Sequence, residues 1–390
     1  MLFPFLQSLS SIKDLSRIED VFRVERLLDR PHQADDIGRQ RIVQERFFGE
    51  ADPVFSGNLS AELVGASVQI GEHGRQRLFP VFPGEIVAQN VDMEIAVAGV
   101  TERTDADLMF FLKEAAEQAD IKLEDVDAFA VTRGPGLIGA LHVGLQCAKT
   151  LAMLYKKPLI PVHHLTGHIY ANEFIEPLQF PLLAVVVSGG NSELVIMEDN
   201  MKFKVIGETR DDAIGECYDK VARVLGLPYP GGIPIDKLAK EGEHTYDLPI
   251  PLRGEHTYDL SYSGLKTNII NMVHNLEQKG EKVNVPNMCR SFQDVAVGLV
   301  IDRAIKAVEE YKVKQVILAG GVSANSYLRS EMKREMEQRN IKIIIPPMWC
   351  CTDQAAMIAK VAEHLYEMKV FAPLSIGVDP NWFIEDYKNF

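Results

Sequence analysis

The sequence predicts an α/β protein, and three observations carry that expectation. Short apolar runs recur and read as buried strands, among them Pro158-Leu-Ile-Pro161, Pro181-Leu-Leu-Ala-Val-Val-Val187, Val316-Ile-Leu-Ala319 and Ile343-Ile-Ile345. Turns rich in glycine or proline punctuate these runs, as at Gly134-Pro-Gly136 and Ser188-Gly-Gly-Asn191. Helical patterns of a dozen or more residues separate most runs from the next, which is the alternation of an α/β architecture.

Taken in order, the regular pattern begins near Met93. Residues 105–119 form an amphipathic helix, with Leu108, Phe111, Leu112, Ala115 and Ala116 on one side. Residues 126–132 read as a buried strand, Gly134-Pro-Gly136 as a tight turn and residues 137–154 as a long helix. The strand at 158–161 runs into Val162-His-His-Leu-Thr-Gly-His168, which opens another helix. Residues 181–187 form a fully buried strand, 193–197 its hairpin partner, and a meander continues through Val205 to Gly207. Helices follow at 213–225, 288–311, 326–338 and 353–368, with strands at 316–319 and 343–345. Between them, Glu243-His-Thr-Tyr-Asp-Leu248 is echoed by Glu255-His-Thr-Tyr-Asp-Leu260. That echo is too short for a structural repeat and reads as loop.

Residues 1–92 stand apart. They hold nine Arg and one Lys, whereas residues 93–390 hold ten Arg and 21 Lys. Residues 14–48 show some helical periodicity, interrupted at Pro31, and residues 47–89 are short apolar patches among Gly and Pro. The segment is either an appended interaction segment or an upstream stretch wrongly joined to the gene, and the second reading is preferred.

Composition bounds the function. A chain of 390 residues suggests two or three domains and is long enough for a sizeable core. Its net charge of -14 does not announce a nucleic-acid binder, so an RNA substrate would need a local basic patch or a partner. The five cysteines show no CxxC spacing, which points to a reducing, cytoplasmic setting rather than a disulfide framework. No apolar run reaches the roughly 18 residues of a membrane span. Met1-Leu-Phe-Pro-Phe-Leu6 lacks the basic and long apolar regions of a signal peptide.

Several residues carry chemistry. His164 and His168 lie four apart, so both rings leave one helix face at a spacing that suits one divalent metal. The alternative is a histidine pair on a packed or solvated face. Two Gly-Gly turns, at residues 188–191 and 320–325, each follow a buried run and can point backbone N–H groups at a phosphate. Gly134-Pro-Gly-Leu-Ile-Gly139 is a third such turn, for which close helix–sheet packing is an equal explanation. Asp211, Asp212, Glu216 and Asp219 gather at a helix start, where favourable interaction with the helix dipole suffices to explain them. Asp219 and Asp236 are alternatively acceptors for ribose hydroxyls. Asp353 is either the N-terminal cap of its helix or a third, oxygen ligand beside the two histidines.

Eight motifs then resemble the TsaD family of proteins that form threonylcarbamoyladenosine in tRNA. They are Val131-Thr-Arg-Gly-Pro-Gly-Leu137, His163-His-Leu-Thr-Gly-His-Ile-Tyr-Ala171, Val187-Ser-Gly-Gly-Asn191, Asp211-Asp-Ala-Ile-Gly-Glu-Cys-Tyr-Asp-Lys220, Tyr229-Pro-Gly-Gly232, Tyr262-Ser-Gly-Leu-Lys-Thr267, Ala319-Gly-Gly-Val-Ser-Ala-Asn325 and Cys351-Thr-Asp-Gln-Ala-Ala-Met-Ile358. They stand in the family's order from about residue 108 to the C-terminus. The resemblance implies a two-lobed actin/sugar-kinase/Hsp70-like fold. One lobe comprises 93–178 and 345–390 with the metal ligands, the other 179–344 with the nucleotide-binding turns. It implies a divalent metal, iron(II) before zinc, on His164, His168 and Asp353. It maps substrate binding onto Val187, Ser188, Gly189, Gly190, Asn191, Asp219, Gly232, Asp236 and Asn325. The implied reaction is acyl transfer from threonylcarbamoyl-AMP to N6 of adenosine 37 in tRNAs reading ANN codons, with TsaB-like and TsaE-like partners and no membrane. No side chain is assigned as general base.

The chain departs from the family in two ways. The family's opening Ile-Gly-Ile-Glu-Thr-Ser-Cys-Asp-like strand and phosphate-facing turn are not found in residues 1–92, and its further strands are not found before about residue 108. The first lobe is therefore expected to lack its N-terminal strands. Asn191 stands where many members carry His. The second functional reading is a catalytically impaired subunit of the same complex that still binds metal and adenylate. A metallopeptidase would need a Glu beside the histidine pair, and the sequence between them, Leu165-Thr-Gly167, has none. A phosphotransferase of the same fold is disfavoured by the missing first phosphate loop.

Overall fold

The structure, a computed structural model, describes residues 89–90, 93–98 and 105–387. These lie in one compact unit, Glu72–Phe390. The periodicity expected over 14–48 and all but the last residue of the patches over 47–89 fall outside the described residues.

Two sheets organise the chain. The first contains β1 (Gln89–Asn90), β2 (Met93–Ala98), β3 (Ala128–Gly134) and β4 (Leu159–His163), in that spatial order. β1 pairs antiparallel with β2, while β2, β3 and β4 are mutually parallel. The second contains β5 (Leu182–Val187), β6 (Ser192–Asp199), β7 (Lys202–Glu208), β8 (Gln315–Ala319) and β9 (Lys342–Ile344), ordered β7-β6-β5-β8-β9. Here β5, β8 and β9 are parallel and the β5-β6-β7 meander is antiparallel.

Strand periodicity explains how helices are distributed over the sheets. Successive side chains of β5 point to opposite faces. Leu183, Val185 and Val187 enter one core with α4 (Ile214–Val224), α5 (Gly232–Ala239), α6 (Ser263–Gln278) and α7 (Val285–Tyr311). Leu182, Ala184 and Val186 enter a second core shared with Ala128, Ala130, Ile160 and Val162 of the first sheet. That core also buries α3 (His164–Tyr170) and α10 (Ala355–Glu367), which thus form the layer between the sheets. On the far side of the first sheet, Phe129, Val131 and Leu159 pack with α1 (Asp105–Ala119) and α2 (Ile138–Tyr155). Continuous burial on both faces is why β4, β5 and β8 read as unbroken apolar runs.

Four expectations change. Two strands, β1 and β2, precede α1, where the family's strands were not found in the sequence, and β2 lies directly beside β3. The helix expected from Asp353 starts at Ala355, after a separate short helix α9 (Met348–Cys351) that holds both cysteines. Asp211 does not serve the dipole of α4. Its carboxylate accepts from the backbone N–H of Tyr262 and Ser263 and so caps α6. Asp219 likewise turns away from its own helix and accepts from Gly231 N–H at 2.6 Å. Residues 243–260 are loop, as expected, and each copy of the echo packs on α7. Ser291 Oγ accepts from Thr245 and Tyr246 N–H, and Arg303, 2 % exposed, donates to the carbonyls of Leu252, Glu255 and Asp259. The helix that follows the second Gly-Gly turn is α8 (Ser326–Gln338), as expected.

Candidate metal centre and nucleotide-binding turns

β4 delivers three histidines with different tasks. His163 ends the strand and caps α3: its Nδ1 accepts from Leu165 N–H at 3.2 Å, and its Nε2 faces the Trp382 carbonyl at 2.8 Å. Its ring is therefore a neutral Nε2–H tautomer, and burial pushes its pKa down to about 4, against the pull of the Trp382 carbonyl. One residue later the chain is helical, and His164 and His168 project together. Their rings lie 4.9 Å apart at 81°. Asn172 secures the end of this helix by donating to the Leu318 carbonyl of β8 at 3.0 Å, which ties the histidine-bearing helix to the second sheet.

Asp353 meets this pair from the loop between α9 and α10. Its Oδ1 lies 3.0 Å from His168 Nε2 and 3.4 Å from His164 Nε2. Gln354, not Asp353, occupies the N-cap of α10, and it makes no side-chain cap bond. The capping alternative for Asp353 is therefore wrong. Burial pushes the Asp353 carboxyl up, but hydrogen bonds and charge from His164 and His168 outweigh it and hold the carboxyl well below the usual range. Burial also lowers the His168 pKa, against its hydrogen bond with Asp353. His168 is 1 % exposed at its side chain, His164 23 % and Asp353 63 %, so the cluster opens on the Asp353 side.

The donor set fits a divalent cation. Two imidazoles and one carboxylate are the ligands of zinc and of non-haem iron(II). A cation with bonds of about 2.1 Å holds neighbouring ligand atoms about 3.0–3.4 Å apart, which is the spacing of Asp353 Oδ1 from each ring nitrogen. Among the described residues no other group of three His, Cys, Asp or Glu side chains is so arranged.

The two Gly-Gly turns meet at the carboxyl ends of adjacent parallel strands, where α/β sheets bind ligands. Val186 of β5 pairs with Ala319 of β8, so residues 188–191 and 320–325 emerge side by side. Two close approaches lock them. A Cβ on Gly320, whose φ is 86°, would stand 2.5 Å from the Val187 carbonyl oxygen, and one on Gly215 would stand 2.6 Å from that of Ser188. Within the first turn Ser188 Oγ accepts from Asn191 N–H at 3.0 Å, leaving Gly189 and Gly190 exposed. Arg329 joins the second turn to the metal side, donating to the carbonyls of Ser323 at 3.1 Å and Pro346 at 2.8 Å, just before α9.

A model of the family described as TsaD, tRNA N6-adenosine threonylcarbamoyltransferase, matches residues 100–360. The chain belongs to the TsaD family. The "tRNA N6-adenosine threonylcarbamoyltransferase" of Staphylococcus carnosus is 51% identical over 276 residues, 71% of this chain and 80% of that protein. The protein of the same name from Staphylococcus haemolyticus is 51% identical over 275 residues, 70% of this chain and 80% of that protein. Among solved structures, full-length HypF in a phosphate- and nucleotide-bound form superimposes with a TM-score of 0.51 at 16% identity, covering 68% of this chain and 51% of that one. That likeness is one of fold, the actin/sugar-kinase/Hsp70-like class.

For a TsaD-family chain the remaining candidate residues fall into two groups. Val187, Ser188, Gly189, Gly190 and Asn191 form the first turn. Asp219, Gly232, Asp236 and Asn325 surround the second: Asp219 fixes the Gly231–Gly232 bend, and Asp236 accepts from Ser326 Oγ at 3.0 Å. Asn325 caps α8, its Oδ1 accepting from Leu328 N–H at 2.9 Å. Sequence reasoning missed two buried neighbours of Asn325, Gln293 and Tyr218. Gln293 sits mid-helix in α7, 2 % exposed, and a polar residue on an otherwise apolar helix face was the one available signal. The third Gly-rich turn leaves Leu137 and Ile138 exposed, and Gly134 is pressed against the Asp379 carbonyl of the C-terminal loop, a contact other than the helix–sheet packing set out for it.

Proposed function

We propose that this TsaD-family chain is an acyltransferase that moves the threonylcarbamoyl group of threonylcarbamoyl-AMP to N6 of adenosine 37 in tRNAs reading ANN codons. The observation that carries the reading is the convergence of His164, His168 and Asp353 from two distant parts of the chain onto one point. In the reaction the adenosine amine forms the new N–C bond, the mixed-anhydride C–O bond breaks, AMP leaves and one proton is released.

The protein's share is binding and orientation. We read 93–178 with 345–390 as the metal-bearing lobe and 179–344 as the nucleotide-bearing lobe. The turns at 188–191 and 320–325 offer backbone N–H groups to the phosphate, while Asp219, Gly232, Asp236 and Asn325 bound the nucleoside end. When bound to His164, His168 and Asp353, iron(II) or zinc supplies a positive charge that polarises the acyl donor. The anticodon loop suits this cleft because its bases are accessible without opening a duplex. Exposed Ile138, Met153 and Leu154 on α2 favour a protein neighbour, and a TsaB-like partner is our assignment, with a TsaE-like protein as the further component. Cys217, Cys289, Cys350 and Cys351 are free thiols and no described helix is long and apolar enough to cross a membrane; a cytoplasmic setting is our assignment.

Expression of the 390-residue chain in cells depleted of their own TsaD tests this. Threonylcarbamoyladenosine in total tRNA should be restored by the chain and not by its Asp353→Ala variant. Unmodified tRNA with soluble chain present would overturn the reading.

A further inference from the structure

Asn325 is fully engaged within the protein. Its Oδ1 caps α8 through Leu328 N–H, so its amide nitrogen must donate elsewhere. That nitrogen lies 2.8 Å from Gln293 Oε1 and 3.5 Å from the Tyr218 hydroxyl. The Tyr218 hydroxyl in turn lies 3.3 Å from Gln293 Oε1. The helix cap thus fixes the Asn325 amide, and the Asn325 amide fixes that of Gln293, whose oxygen accepts from both neighbours. The three side chains are deeply buried, at 8 %, 2 % and 2 % exposure for Asn325, Gln293 and Tyr218.

The trio links α4, α7 and the 320–325 turn, elements that also pack together where Tyr218 meets Phe292 and Arg290 lies over Tyr327, just after that turn. Tyr218 precedes Asp219, which holds the Gly231–Gly232 bend. Asn325 precedes Ser326, which is held by Asp236 through both its hydroxyl and its backbone N–H. Gln293 comes from α7, which supplies no residue to that site. Removing the Gln293 acceptor leaves two buried donors unsatisfied and frees the Asn325 turn to shift.

We infer that Gln293 and Tyr218 are positioning residues for the adenylate: they hold Asn325, and with it the 320–325 turn, in the binding geometry. The inference rests on the nucleotide reading of the two glycine turns. Nucleotide affinity should therefore depend on this buried acceptor while the metal cluster does not.

The test measures AMP binding by calorimetry on the full chain, metal content on the same samples, and KM and kcat for threonylcarbamoyl-AMP in the reconstituted reaction. Gln293→Met should weaken AMP about tenfold and raise KM similarly, with kcat changed by less than about twofold. Gln293→Glu, which keeps an acceptor oxygen, should recover most of the affinity. Tyr218→Phe should weaken AMP by about threefold. Metal content should match wild type in all three. Asp236→Asn is the control for the nucleotide site itself. Weakened AMP binding in that control alongside wild-type affinity in Gln293→Met and Tyr218→Phe would overturn the inference and leave the nucleotide reading intact. Absence of AMP binding by the wild-type chain would overturn both. Should Gln293→Met fail to fold, Tyr218→Phe decides: wild-type affinity there overturns the inference. Loss of metal in step with AMP would mark a merely structural role and overturn it too.

Discussion

Asp353 carries the charge on which both imidazoles converge, so Asp353→Asn isolates the carboxylate's part in the metal centre. Metal bound after purification, measured by inductively coupled plasma spectrometry, should fall from near stoichiometric to a minor fraction. The loss should exceed the roughly 10–100-fold that removing an outer partner of a metal ligand costs. Glu193 presents a different residue-scale problem. It faces Glu208 across β6 and β7, and its Oε2 is buried with no hydrogen-bond partner among the described residues. Burial, then repulsion from Glu208 and Glu385, pushes its carboxyl up to about 7. A carboxyl raised on folding binds its proton more tightly in the native state, so stability is full below the ordinary carboxylate range and falls as pH rises to about 7. Glu193→Gln should therefore stabilise the chain at pH about 8, by roughly 1–3 kcal/mol. The gain should vanish near pH 4, and thermal melts at the two pH values will show whether it does.

At the scale of elements, α7 is the beam to which the 243–260 loop is fastened. The two echoed segments engage it at Ser291 and at Arg303. The Arg303 guanidinium is buried beneath three loop carbonyls, with Asp302 at 3.2 Å as its charged partner. Arg303→Met preserves bulk but removes the donors to those carbonyls, of which only that of Leu252 keeps a bond, from Glu255 N–H, at an expected cost of about 2–4 kcal/mol. Urea denaturation should show that loss, and limited proteolysis should cut first within 252–259. A cap close in sequence can still be overlooked: α7 was expected from residue 288 and begins at Val285. Asn284 caps α7 from its own sequence neighbourhood, accepting from Asn287 N–H at 3.2 Å. α6 was not anticipated because its cap, Asp211, comes from a distant segment and Tyr262 at its own N-cap makes no side-chain bond. β2 was missed for a related reason: Met93–Ala98 is short, and its ladder depends on pairing with β3 as well as with β1.

At the scale of the molecule, the layer of α3 and α10 between two sheets determines what the metal centre reports. His164 and His168 belong to α3 and Asp353 leads into α10, so a bound cation clamps the two helices of the shared core. A cation that binds only the folded chain should raise its melting temperature, by the equivalent of about 2.7 kcal/mol at hundredfold excess over Kd. Differential scanning fluorimetry with added zinc should show this for the wild-type chain and not for His168→Ala. Across the same layer, His364 of α10 contacts Glu173 at 2.8 Å and Asn200 of the β6–β7 turn at 3.2 Å. These contacts fasten α10 both to the end of α3 and to the second sheet.

By itself the sequence determined what depends on neighbouring residues. Runs buried on both faces announced β4, β5 and β8, because a strand covered by helices needs no polar alternation. An i,i+4 spacing put His164 and His168 on one face, and Gly-Gly after a buried run marked both turns. Motif order assigned the family. Tertiary structure decided what depends on distant ones. Asp353 could equally have been a cap until folding brought its carboxylate to the two imidazoles. The partners of Gln293 were hidden for the same reason. A buried amide acquires its role from the donors that surround it, and here they come from α4 and the 320–325 turn, which sequence proximity does not connect.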